Sequence, residues 1–226
     1  MHTTAPSILD GLFPATVRAD ESRPDDFGGP LLAAEYALIR EATEIRLREF
    51  TGGRRCARRL VQALGVEEHP ILATPERAPI WPAGVVGTIS HTAGRCFAAV
   101  ARREAVSMLG LDVEVDRSLD ASLWDIVCTP EELAWIASMP VQDQCSLATL
   151  IFSAKECGYK AQFPVTRAFL GFHEGHIAVG MAGTFTVTFP PHVTAQLPTA
   201  TLHGRWAVRE GLMLTAVAVA AERVSR

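Results

Sequence analysis

The chain has 226 residues, 48% of them hydrophobic, enough to bury a sizeable core in one domain or in two half-size lobes. A formal net charge of −4 gives no global pull towards nucleic acid or an anionic membrane, and five scattered cysteines without a CxxC pair argue against a disulfide frame or a cysteine-bound zinc. The longest late apolar run, 211–221, is too short to span a bilayer and residues 1–6 lack a signal-peptide pattern, so the sequence reads as that of a cytoplasmic protein.

In chain order, residues 1–29 are rich in Pro, Asp and Gly and read as a loosely structured lead-in with one short strand. An amphipathic helix is predicted over 31–50, ended by Gly52-Gly53, with a second helix over 54–64 stopped by Gly65. Two apolar runs, 85–89 and 96–101, flank the turn-like Ser90-His91-Thr92-Ala93-Gly94, which predicts two strands and a polar loop. A strand over 107–115 places Asp112 and Glu114 on one face. Thr129-Pro130-Glu131-Glu132 is a capping box that opens a helix to about residue 137, and a longer helix is expected over 147–162. Four β-like runs, 177–179, 184–189, 204–208 and 212–219, suit a small antiparallel sheet. This order fits an α+β protein with a lead-in at 1–29, an N-terminal lobe at 30–105 and a C-terminal lobe at 106–226.

Two carboxylates on one strand face, Asp112 and Glu114, repel one another, and a hard divalent cation such as Mg²⁺ relieves that repulsion. Alone, such a pair is commonplace at solvated strand ends. Glu156 and Lys160, four residues apart, share a helix face and could equally be a surface ion pair. Of the 21 basic residues only Lys155 and Lys160 are lysine, and both lie within 152–160. A compact ammonium where the chain otherwise uses arginine points to a site that needs a point charge.

Gly110-Leu111-Asp112-Val113-Glu114, followed some forty residues later by Phe152-Ser153-Ala154-Lys155-Glu156-Cys157-Gly158-Tyr159-Lys160, resembles the two signature motifs of the 4′-phosphopantetheinyl transferases. The likeness extends to Arg54-Arg55-Cys56-Ala57-Arg58, Pro79-Ile80-Trp81-Pro82, Ser90-His91, Phe163-Pro164, Leu170-Gly171-Phe172 and Gly204-Arg205-Trp206. It is strongest towards the compact mycobacterial and enterobactin-type enzymes.

The resemblance implies two similar α/β lobes related by a pseudo-twofold axis, with the active site in the cleft between them. It implies coenzyme A as co-substrate, Mg²⁺ (or Mn²⁺) as metal, and apo acyl and peptidyl carrier proteins as partners. The activity implied is that of the holo-acyl-carrier-protein synthase type, in a monomer without nucleic-acid or membrane partners. Arg54, Ser90 and His91 would hold coenzyme A phosphates, with Lys155 and Lys160 near the reacting ones and Asp112 and Glu156 beside them. Asp112, Glu114 and Glu156 would ligate the metal, and Glu156, Lys160 and Asp112 would be catalytic. Relatives often carry a lysine where this chain has Glu76, so Arg77 is the candidate replacement. Leu47 stands at another expected basic position, for which Arg46 or Arg48 would substitute. Tyr159 and Phe169 could line a pantetheine channel or pack in the core. His173-Glu174-Gly175-His176 has the wrong spacing for a helical zinc motif. The competing readings are a non-catalytic coenzyme A or carrier-binding module and a metal-dependent nuclease.

Overall fold

A computed structural model describes residues 7–23, 30–180 and 182–222. Residues 1–6 and 24–29 of the expected lead-in, and 223–226 of the expected C-terminal lobe, lie outside the described residues. The strands are β1 (Val17–Ser22), β2 (Leu72–Ala73), β3 (Pro79–Ile80), β4 (Val85–Thr92), β5 (Arg95–Arg102), β6 (Val106–Val115), β7 (His176–Gly180), β8 (Thr184–Thr188), β9 (Thr201–Arg209) and β10 (Leu212–Ala220). The α-helices are α1 (Ala33–Tyr36), α2 (Glu44–Ala63), α3 (Trp124–Val127), α4 (Pro130–Ala137), α5 (Val141–Thr166) and α6 (Pro191–Thr194).

The protein is a mixed α/β structure with two main antiparallel sheets, ordered β1-β5-β4 and β6-β10-β9-β8-β7. Strand alternation sorts side chains into layers. One face of the first sheet, with Val85, Ala98 and Val100, packs on Cys56, Ala57, Leu60 and Val61 of α2. Its other face, with Val86, Phe97, Ala99 and Ala101, packs on Leu109, Leu111 and Val113 of β6 and Leu212 and Leu214 of β10. The far face of the second sheet, including Met108, Phe185, Val187 and Val217, meets Ile151, Ala154, Cys157 and Ala161 of α5. The order of layers is helix, sheet, sheet, helix.

The two sheets meet along β4 and β6 through hydroxyls. Thr88 Oγ1 accepts from Leu111 N at 3.2 Å and Ser90 Oγ from Val113 N at 3.2 Å. These bonds satisfy amides on an edge strand that would otherwise be buried without partners.

Several expectations need correction. Helix α2 runs straight through Gly52-Gly53, and Gly53 serves packing: a Cβ there would sit 2.9 Å from Ile89 Cγ2. The break falls earlier, where Thr43 caps α2 by accepting from Arg46 N at 3.4 Å. The apolar residues Tyr36, Leu38 and Ile45, which gave 31–50 its helical look, are exposed. Strand β4 continues to Thr92, so Ser90 and His91 are strand residues, and the reversal is only Ala93-Gly94 with φ of 49° and 71°. The expected strand of the lead-in is β1, paired with β5, but the segment before it is not loose, since Ile8, Leu9 and Leu12 are core residues.

Candidate active site

Close contact between β6 and α5 forms the floor of the site. Gly110 allows it, because a Cβ there would collide with the Cys157 carbonyl oxygen of α5. Ser153 on α5 hydrogen-bonds Thr215 on β10 at 2.8 Å between hydroxyls, and Thr215 Oγ1 also lies 3.0 Å from Ser153 O. With the helix held in this register, Glu156 and Lys160 stand over Asp112 and Glu114, the strand pair whose shared face was expected.

Asp112 is buried, and its Oδ1 accepts from Lys160 Nζ at 2.5 Å and Ser90 Oγ at 3.1 Å. Its Oδ2 is buried and has no hydrogen-bond partner among the described residues. Burial pushes the Glu114 carboxyl up to about 7, with Asp112 and Glu156 reinforcing the shift and Lys160 opposing it. Burial likewise raises Glu156, against Lys160 and with the help of Asp112. For Lys160, burial works against the ammonium, but Asp112, by charge and hydrogen bond, and Glu156 outweigh it and raise its pKa. The result is a surplus of negative charge around one fixed cation.

Above this floor opens a pocket of about 570 Å³ lined by α2, β4, the 73–81 segment and α5. Arg46, Arg54, Arg77, His91, Glu156 and Lys160 all line it. Arg54 is buried with its guanidinium 4.3 Å over the Phe50 ring, and Nε donates to Ile71 O at 2.7 Å. Burial lowers its pKa to about 10, which leaves it charged at neutral pH. Arg46 Nη1 is 2.9 Å from His91 Nε2, and burial lowers the His91 pKa against the opposing pull of Glu49. The Arg77 backbone lies in the left-handed region, with φ of 69°. Trp81 packs flat under Gly87, where a Cβ would sit 2.6 Å from the indole.

Lys155 departs from expectation. It is buried away from this pocket, with Nζ 2.7 Å from Glu132 Oε2 and bonded to Val127 O and Phe172 O. Helical geometry requires this, because residues 155 and 160 are about 140° apart around the axis whereas 156 and 160 differ by about 40°. Glu114, Glu156, Lys160, Asp112, Ser90, His91, Arg46, Arg54 and Arg77 are gathered; Lys155 is not. Of the decoy HExH, His173 Nε2 meets Asp125 O and Glu174 accepts from Gly171 N, as residues of a turn do.

The sequence reading missed Glu49, whose carboxylate lies 3.6 Å from His91 Nδ1 and 3.7 Å from Arg46 Nη1. It also missed Thr88, which would have been legible as the partner of Ser90 two residues on, had β4 been extended past residue 89.

Comparison with known proteins places residues 34–101 in the 4′-phosphopantetheinyl transferase N-terminal domain and residues 108–214 in the 4′-phosphopantetheinyl transferase superfamily. The chain belongs to the 4′-phosphopantetheinyl transferase family. It is 35% identical to the 4′-phosphopantetheinyl transferase PptT of Mycobacterium tuberculosis, with 95% of this chain and 99% of that protein aligned. It is 39% identical to the transferase Svp of Streptomyces mobaraensis, over 91% of this chain and 85% of that one. To the transferase Npt of Nocardia iowensis it is 34% identical, over 94% and 100%.

Members of this transferase family use coenzyme A and in general a divalent metal, and the donor set here fits such an ion chemically. Asp112, Glu114 and Glu156 are hard oxygen donors, and Asp112 Oδ2 is a buried acceptor without a partner among the described residues. Among the described residues no three His, Cys, Asp or Glu side chains converge into a ready-made cage. Lys160 holds the other Asp112 oxygen. No helix among the described residues of this transferase-family chain is long and apolar enough to cross a membrane.

Proposed function

We propose that the protein transfers the 4′-phosphopantetheine arm of coenzyme A to a serine of apo acyl or peptidyl carrier proteins, as a monomeric, Mg²⁺-dependent enzyme of the holo-acyl-carrier-protein synthase type, with release of 3′,5′-ADP. The observation that carries this reading is a cation-lined pocket whose wall includes Glu156 and Lys160, with Asp112 paired to Lys160 and Glu114 beside them. We further infer that residues 30–105 and 106–226 are the two similar lobes and that coenzyme A lies between them. The lining of the pocket by α2 and β4 on one side and α5 on the other supports this.

Arg54, Arg46, His91 and Arg77 supply fixed charge and donors for the 3′-phosphate and pyrophosphate. Lys160 turns part of its ammonium from Asp112 towards the reacting phosphate, where a point charge suits an oxyanion. Asp112, Glu114 and Glu156 would hold a divalent cation. That ion would supply charge neutralisation at the pyrophosphate. Glu156, a carboxylate whose pKa burial raises and so makes more basic, takes the proton of the carrier serine Oγ as that oxygen bonds to the phosphorus bearing the pantetheine and the bond to the bridging oxygen breaks. The leaving 3′,5′-ADP carries away the electron pair.

The protein, mixed with coenzyme A, Mg²⁺ and a panel of apo carriers, should raise a carrier's mass by one phosphopantetheine. No gain on any carrier of the panel overturns the reading, and coenzyme A binding without gain would recast the protein as a binding module.

A further inference from the structure

We infer that Lys155 is a positioning residue: paired with Glu132, it fixes the wall of a second, apolar pocket beside Glu156 and does not touch substrate. This rests on the transferase reading above. Lys155 and Glu132 side chains are 4% and 1% exposed, so the pair is sealed from solvent. The ammonium has three protons and three acceptors converge on it, namely Glu132 Oε2 at 2.7 Å, Val127 O at 2.8 Å and Phe172 O at 2.7 Å. A planar guanidinium cannot converge on three acceptors around one nitrogen, which accounts for lysine in a chain that otherwise uses arginine.

Glu132 is equally committed. Its Oε2 accepts from Thr129 N at 2.8 Å, closing the capping box of α4, and its Oε1 accepts from Ile177 N at 2.7 Å at the start of β7. His176 Nδ1 stands 3.7 Å from the same Oε1. One buried pair therefore ties together the end of α3, the start of α4, the middle of α5, the turn at Phe172 and the beginning of β7.

That turn has a chemical neighbour. Leu170, Gly171 and Phe172 form one wall of a pocket of about 320 Å³, with Tyr159 and Phe169 also lining it. Glu156 lines both this pocket and the cation-lined one, whereas Lys155 lines only the apolar one. Through Phe172 O the ammonium sets how far that wall stands from Glu156. A wall misplaced by about 1 Å near reacting atoms costs rate without loosening a ligand held elsewhere.

The test compares wild type, Lys155→Met, Glu132→Gln and the double variant for Tm, for coenzyme A Kd by calorimetry, and for kcat and carrier KM. Lys155→Met leaves a buried carboxylate unpaired and should lower Tm by about 10 °C. The double variant removes both charges and should regain most of that loss. Its coenzyme A Kd should stay within about threefold of wild type while kcat remains about tenfold down, because the Phe172 carbonyl is still untethered. A folded double variant with coenzyme A binding weakened about tenfold or more would make Lys155 a substrate contact and overturn the proposal. Wild-type kcat in the double variant would overturn it too. If Lys155→Met does not fold, Glu132→Gln alone decides: reduced kcat at unchanged coenzyme A affinity supports the proposal, and unchanged kcat refutes it. Absence of transfer by the wild type fails the transferase reading instead, and the Tm and Kd pattern still reports on Lys155.

Discussion

Glu114 shows how burial sets charge at this site. Its carboxyl moves from an ordinary 4.5 to about 7, first because burial disfavours the anion and then because Asp112 and Glu156 stand near it, with Lys160 opposing. Between those values the folded protein keeps a proton that the unfolded chain has released. This contribution to stability is therefore full below about pH 4.5 and is lost as pH rises through 7. Glu114 is only half-buried, so solvent moderates the effect. For chelator-treated protein, Tm should decline from about pH 5 to about pH 7.5, and Glu114→Gln should flatten the decline. An equal slope in both proteins would refute the assignment. Added Mg²⁺ should raise Tm more at the upper end of that range. In the proposed transfer Lys160 shares a compact charge between Asp112 and a phosphate, so Lys160→Arg should cut kcat about 100-fold in the carrier mass assay. Glu156→Gln, which loses the proposed base but keeps the shape, should cut it about 1000-fold with Tm nearly unchanged. Normal turnover by either variant contradicts its assigned role.

Among the elements, the contact between β6 and α5 decides whether a site exists at all. Gly110 is a point of close approach, and a methyl there meets backbone, the Cys157 carbonyl, which cannot rotate away. Gly110→Ala should therefore cost about 3 kcal/mol or more, lowering Tm by about 10 °C, with transfer lost in proportion as the helix lifts Glu156 and Lys160 from Asp112. A change below about 2 °C would mean that helix and strand yield easily. This geometry also explains what the sequence could disclose. The i,i+2 spacing of Asp112 and Glu114 and the i,i+4 spacing of Glu156 and Lys160 are local periodicities, so the shared faces were legible before any tertiary contact was known. The capping box at Thr129 was legible for the same reason, being completed within four residues. Gly52-Gly53 misled because a glycine that admits a neighbouring strand looks, in sequence, like one that ends a helix. Lys155 shares the motif with Lys160 but, about 140° away around the helix axis, meets Glu132 rather than the cation-lined pocket. Its partner Glu132 lies 23 positions away, beyond the reach of any local pattern.

At the scale of the whole molecule, the two sheets share one core. Val86, Phe97 and Ala99 of the first sheet and Leu109, Leu111 and Leu214 of the second belong to a single buried cluster, to which the N-terminal Ile8, Leu9 and Leu12 also belong. Thr88 and Ser90 tie the seam, and Ser90 at the same time orients Asp112, so the bond that joins the sheets is also part of the site. Arg95, at the start of β5, bridges Glu21 of β1 to Glu210 in the β9–β10 turn, adding an ion pair across the same junction. With the seam buried, neither sheet can lose its partner without exposing apolar surface, so the halves should not melt separately. Calorimetry should record one transition whose calorimetric and van't Hoff enthalpies agree. Leu12→Ala, at a position remote from the pocket, should lower that single transition by about 3 kcal/mol, or about 10 °C, without splitting it. Two resolved transitions in either protein would show that the sheets fold as independent units, and the position of the site across their seam would then have to be maintained by bound ligand.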